Sequence, residues 1–218
     1  MEQTNTVLTG VSVVAALGYG LIMAGLPSSL ERTLVKVAAV GALAVMAFLS
    51  DAPWLLAAGL LLCAVGDALL AGNPQRWLPL GLAAFLLGHI LLIFLYQETR
   101  DPSLEMTHLQ IAGSVAVGVA AVAMLAWLWR AFGPMRPAVI LYVIAIAVMV
   151  GSSFLLPVFY WPAMLGAVAF MASDAILAGD LFRQTKLFGS ARVTGWAIWF
   201  LYYAAQVLIA WAFLRSPY

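Results

Sequence analysis

Apolar residues run through this chain in long blocks, and the polar positions gather in the short gaps between them. A helix needs roughly 20 mostly apolar residues to cross a bilayer. Eight such blocks can be laid down, at about 7–26, 33–50, 54–71, 78–97, 108–131, 138–156, 158–178 and 192–214. The gaps carry turn and charge signals: "LPSSLER", "SDAP", "GNPQRW", "QETRDPSLEMT", "FGPMRP", "LPVFYWP" and "GDLFRQTKLFGSAR". Inside the blocks apolar residues do not alternate with polar ones, as the strands of a membrane β-barrel must. The pattern predicts an all-α, polytopic membrane protein of eight transmembrane helices. No gap is long enough for a soluble domain, so residues 1–218 are expected to form a single transmembrane domain.

Composition agrees with that pattern. With 65% hydrophobic residues, 9% charged residues and a mean hydropathy of +1.05, the chain has too little polar surface to cover a water-soluble globule. The net charge is +1 and its cations are scattered, whereas phosphate-backbone binding needs them clustered. Nucleic acid is therefore excluded as a partner. Cys63 is the single cysteine and lies in an apolar run, which rules out an internal disulfide and a Cys-rich metal site. The N-terminal "MEQTNTVLTG" has no Lys or Arg, and no small-residue cleavage site follows. The first block thus reads as a membrane span and not as a signal peptide.

The cations orient the spans. Arg32, Lys36, Arg76, Arg130, Arg136, Arg183, Lys186 and Arg192 fall on the side reached at the end of the first span, and Arg100 and Arg215 fall on the other. Cytoplasmic loops carry the excess of Lys and Arg, so the first side is expected to face the cytoplasm and both termini to lie opposite.

Against this background "GDALLAG" (66–72) and "SDAILAG" (173–179) place an aspartate twice in the same setting. Asp67 stands about one turn from the end of the third block and Asp174 about one turn from the end of the seventh, both toward the cation-rich side. Four spans separate them, which makes the relation a parallel repeat, with halves at about 1–100 and 101–218. "FLLGHILLIF" (85–94) then lies over "YYAAQVLIAW" (202–211), setting His89 against Gln206. Lys36 precedes Asp67 by 31 residues and Tyr142 precedes Asp174 by 32. A carboxylate at the bilayer centre costs on the order of 2.5 kcal/mol or more, so each aspartate is expected to face the bundle interior or a water-filled cavity. The alternative is that each caps a helix end or pairs with an interfacial arginine such as Arg76 or Arg183.

The other polar residues admit structural roles as well. His89 can bond between helices, Lys36 can snorkel to the interface or meet a phosphate, and Tyr203 and Gln206 share a face and can bond across helices. His108 opens a span at the interface. No H-E-x-x-H metal motif, G-x-S-x-G nucleophile elbow or phosphate-cradling glycine motif occurs. Chemistry in this chain is left to carboxylates, with no metal and no organic cofactor expected.

The order "GDALLAG", "GLAAFLLGH", "GAVAFMASDAILAG" and "YYAAQ" on eight apolar spans resembles the YhhN family, which includes membrane lysoplasmalogenases. By that resemblance the family's functional positions fall at Lys36, Asp67, His89, Asp174, Tyr202, Tyr203 and Gln206. Three positions depart from its pattern: Lys36 lacks a following proline, Gly88 stands where alanine is usual, and Leu92 stands where a tyrosine is expected. The resemblance implies hydrolysis of the vinyl ether bond of lysoplasmalogens to a fatty aldehyde and a glycerophospho-alcohol, with a lysophospholipid as substrate. Such a bond is cleaved by protonating its β-carbon and adding water to the resulting oxocarbenium ion. The reaction needs a proton donor, a base and nearby negative charge, and two carboxylates supply all three. Asp67 and Asp174 are the expected catalytic pair, with Lys36 or Arg76 meeting the phosphate. Two other classes fit the same features: a proton-coupled transporter of a small molecule or lipid, and a non-catalytic lipid-binding protein.

Overall fold

Helix starts in this chain are written in hydroxyl side chains. Ser29, Thr107 and Ser190 each accept a hydrogen bond from a backbone amide in the first turn of the helix that follows, satisfying one of the donors a helix leaves open at its start. At Thr107 the Gln110 side chain returns the bond to complete a capping box. The computed structural model describes residues 2–72, 74–103 and 105–215. The helices are α1 (Glu2–Gly18, continued by a π-helical turn Tyr19–Met23), α2 (Leu30–Leu49), α3 (Trp54–Ala71) and α4 (Pro74–Thr99). They continue with α5 (His108–Leu128), α6 (Arg136–Ser153), α7 (Trp161–Arg183) and α8 (Ala191–Leu214). All eight are long and apolar enough to cross a membrane, and no strand occurs among the described residues. The chain is an all-helical, multi-pass membrane protein.

The elements fall where the apolar blocks predict, with shifts at the ends. Helix α1 begins at Glu2, five residues before its apolar block, and α7 continues to Arg183, five residues past the point where its block stops at 178. Polar contacts hold the extra turn: Arg183 donates to Trp127 O at 3.0 Å and Lys186 pairs with Asp180. Gln184 then takes a left-handed conformation (φ 54°) and closes the helix, with the amides of Gln184 and Thr185 donating to Asp180 O and Gly179 O. Asp174 consequently stands nine residues before the end of α7 and not one turn before it, while Asp67 is four residues before the end of α3.

Packing follows chain order inside each half. Helix α1 lies on α2, α2 on α3 and α3 on α4; in the same way α5 lies on α6, α6 on α7 and α7 on α8. The halves meet through α4 against α6 and α2 against α8. The α7–α8 contact is close because Gly166 has no side chain: a Cβ there would stand 2.8 Å from both Ala205 O and Ile209 Cγ1. Such small-residue contacts are how helices associate in lipid, where burial of apolar surface drives nothing. Helix α5 is the exception, burying only Ala121 and Leu128 of its 21 residues.

Candidate active site

A cavity of about 770 Å³ opens into the end of the bundle where α1, α3, α5 and α7 finish and α2, α4, α6 and α8 begin. This is the end that carries most of the cations. Its walls are chiefly apolar, from Leu82 and Phe85 on α4 to Met124 on α5, Ile146 on α6 and Leu177 on α7. The charged and phenolic side chains in this lining include Arg32, Lys36, Asp67, Tyr142, Asp174 and Tyr202, with Asp180, the partner of Lys186, as a third aspartate. Both halves of the chain contribute, and Asp67 and Asp174 line the same space.

Asp67 is held at both oxygens. Its Oδ1 lies 2.9 Å from Lys36 Nζ on α2, and its Oδ2 accepts a hydrogen bond of 2.7 Å from the Tyr202 hydroxyl on α8. The carboxyl is 1% exposed, a burial that is tolerable for a charge only when it is paired and hydrogen-bonded. Lys36 is also flanked by the rings of Tyr19 and Trp199, at 5.6 and 5.5 Å, and Trp199 is fixed by its Nε1–H donating to Ala16 O at 2.8 Å. This lysine therefore points inward at a carboxylate and does not snorkel out to the interface.

Asp174 has a different set of partners. Its Oδ2 accepts from the Tyr142 hydroxyl on α6, and no cation is paired with it among the described residues. The neighbouring Ser173 donates to Ile198 O on α8 at 2.9 Å. Lys36 and Tyr142 each contact the aspartate of their own half. The alternative of arginine pairing is corrected by the geometry: Arg183 bonds the backbone of Trp127 and Arg76 lies over the Trp77 ring, and neither aspartate caps a helix end.

The remaining sequence candidates separate by position. Tyr142 and Tyr202 touch the carboxyls. His89 is fully buried outside the cavity lining, against the rings of Phe170 and Tyr142 at 4.7 and 5.1 Å, and neither ring nitrogen has a hydrogen-bond partner among the described residues. Gln206 is buried on α8, one turn beyond Tyr202. Tyr203 points the other way and shares a 2.9 Å hydrogen bond with Ser12 on α1. His108 is exposed at the start of α5. Arg76 is not among the residues that line the cavity; Arg32 is. Sequence reasoning counted Arg32 only as an orienting charge. Its place one turn before Lys36, on the same helix face, was the available signal. Tyr19 and Trp199 had none beyond being aromatic near span ends.

Comparison with known proteins bears on these residues. The model of the YhhN family matches residues 31–213, a stretch that holds Arg32, Lys36, both aspartates and both tyrosines that bind them. A lysoplasmalogenase of Mycobacterium bovis (strain ATCC BAA-935 / AF2122/97) is 36% identical over 166 residues, which cover 73% of this chain and 60% of that protein. A lysoplasmalogenase of Mycobacterium tuberculosis (strain CDC 1551 / Oshkosh) gives the same figures. The match thus spans about three-fifths of the length of these relatives. No solved structure matches the chain.

Proposed function

The chain belongs to the YhhN family, and from that premise we propose that it is a membrane hydrolase cleaving the vinyl ether bond of lysoplasmalogens. The observation that carries this reading is the pair of carboxyls from opposite halves lining one apolar cavity, each with different partners. Asp67, paired with an ammonium, is the anionic member and acts as base. Asp174, bonded on one oxygen by a tyrosine and paired with no cation among the described residues, carries the proton and acts as acid.

In the first step the Asp174 proton passes to the β-carbon of the vinyl ether. The π electrons form the new C–H bond, and an ether lone pair makes the neighbouring carbon an oxocarbenium ion, which the Asp67 carboxylate stabilises. Water attacks that carbon while Asp67 takes its proton. The hemiacetal then gives its hydroxyl proton to the Asp174 carboxylate while Asp67 passes its proton to the glycerol oxygen as the C–O bond breaks, leaving a fatty aldehyde and a glycerophospho-alcohol. One water is consumed, and both carboxyls return to their starting protonation states. The apolar walls serve by admitting one hydrocarbon chain and limiting water. With the cation-rich end toward the cytoplasm, as the distribution of Lys and Arg favours, the site opens on that side.

The test is aldehyde release from a lysoplasmenyl lipid by the purified protein. Stoichiometric aldehyde and glycerophospho-alcohol are expected from wild type; a pure, folded sample that releases neither overturns the reading.

A further inference from the structure

Among the described residues Arg32 is a cation without an anion. Arg32 lines the cavity, and the hydrogen bonds its guanidinium makes go to neutral acceptors, Ala71 O at 3.0 Å and the Tyr19 hydroxyl at 3.1 Å. Its Nε–H has no partner, and no carboxylate pairs with it among the described residues. The Tyr19 ring lies 5.6 Å from the guanidinium carbon and fixes its plane further. A partly buried, pre-positioned guanidinium that neutral groups hold open toward a cavity is built to receive an anion, and the planar fork suits phosphate oxygens.

Its height in the bundle says which anion. Arg32 and Lys36 are one turn apart on α2, and their partners Ala71 and Asp67 are one turn apart on α3. The two helices are therefore joined by two polar rungs about 6 Å apart along the axis: an arginine rung nearer the end of the bundle and a carboxylate rung deeper in. In a 1-alkenyl lysophospholipid about five covalent bonds separate phosphorus from the ether oxygen, a comparable length. We propose that Arg32 is the phosphate-binding residue of this cavity, seating the headgroup phosphodiester one rung above Asp67 so that the ether oxygen comes level with that carboxylate. The hydrocarbon chain then runs inward past Phe85 and Ile146. The substrate class rests on the reading given under Proposed function; the anion subsite itself rests on Arg32.

Binding separates the two, because it needs no turnover. The probes are a saturated 1-O-alkyl-2-lyso-glycerophosphocholine, which has no vinyl ether to cleave, and the matching 1-O-alkylglycerol, which has no phosphate. Wild type is expected to bind the phosphate-bearing ether at least about tenfold more tightly, the size of a charge-assisted hydrogen bond. In R32Q that preference disappears while affinity for the alkylglycerol is unchanged, and in R32K, which keeps the charge without the fork, part of it survives. A full preference retained in R32Q overturns the proposal, and so does an equal loss for both probes in R32Q and R32K, which marks Arg32 as structural. Inorganic phosphate that binds wild type but not R32Q, with the ether lipid bound equally by both, also overturns it, since the anion is then not a headgroup. If the Arg32 preference holds but lysoplasmenyl lipid is not hydrolysed, the hydrolase reading fails and the subsite stands. If hydrolysis holds and the preference does not, the reverse follows.

Discussion

At Asp67 one carboxylate meets an ammonium from α2 and a phenol from α8, so a single side chain joins the two halves of the molecule and faces the cavity. Asp67→Asn and Asp174→Asn are each expected to lower vinyl ether hydrolysis at least about a hundredfold, since loss of a general acid or base forfeits 10² to 10⁴ in rate. The double variant should be hardly slower than the worse single, because groups that act as a unit are not additive. Steady-state rates on equal amounts of folded protein check both statements, and near-full turnover in either single variant excludes that aspartate from the chemistry. Lys36→Ala is expected to reduce kcat far more than it raises KM, because it strips the partner from a buried charge. A predominant rise in KM instead assigns Lys36 to headgroup binding. The aspartates were legible in the sequence because ionisable groups are costly in a span and these two sit in matching heptapeptides. The tyrosine hydroxyls that bind them were legible only by resemblance and by spacing to the aspartates. What linear order did not carry was the pairing across the bundle, such as Tyr202 on α8 with Asp67 on α3, 135 residues apart.

Among the helices, spans of about 20 apolar residues made the number and order of elements readable, while their ends were set by contacts that hydropathy does not register. Arg183, Asp180 and Lys186 extend α7 past its apolar block through bonds to Trp127 O and to each other. The α7–α8 pair turns on Gly166. Gly166→Ala is expected to destabilise the protein by about 1–3 kcal/mol, because the added methyl meets the backbone oxygen of Ala205, which cannot swing aside as a side chain does. Gly118→Ala on α5, where nothing stands within 4 Å of the new carbon, should leave stability unchanged or slightly raised, as alanine favours helix. Thermal unfolding of the two variants in the same detergent makes the comparison, and equal midpoints for both remove Gly166 as the packing determinant.

Taken whole, the molecule raises two questions of symmetry and direction. If the halves are parallel repeats, laying α1–α4 on α5–α8 should bring Asp67 onto Asp174 and Lys36 onto Tyr142; an experimental structure in which the aspartates fall on non-corresponding turns ends the idea. If the cation-rich end is cytoplasmic, Thr185→Cys in a Cys63→Ser background should resist an impermeant thiol reagent in intact cells and react once they are opened. Labelling in intact cells reverses the orientation. Helix α5 carries a further consequence. It forms part of the cavity wall through Ala121, Met124 and Leu128 yet is barely embraced by its neighbours, so in a bilayer the lateral pressure of surrounding acyl chains is what presses that wall home. The membrane is then a component of the binding site as well as its surroundings. Bilayer thickness and chain order become variables that set how tightly the chamber closes on its guest, and nanodiscs of differing acyl length, all holding the same protein, should yield different Michaelis constants.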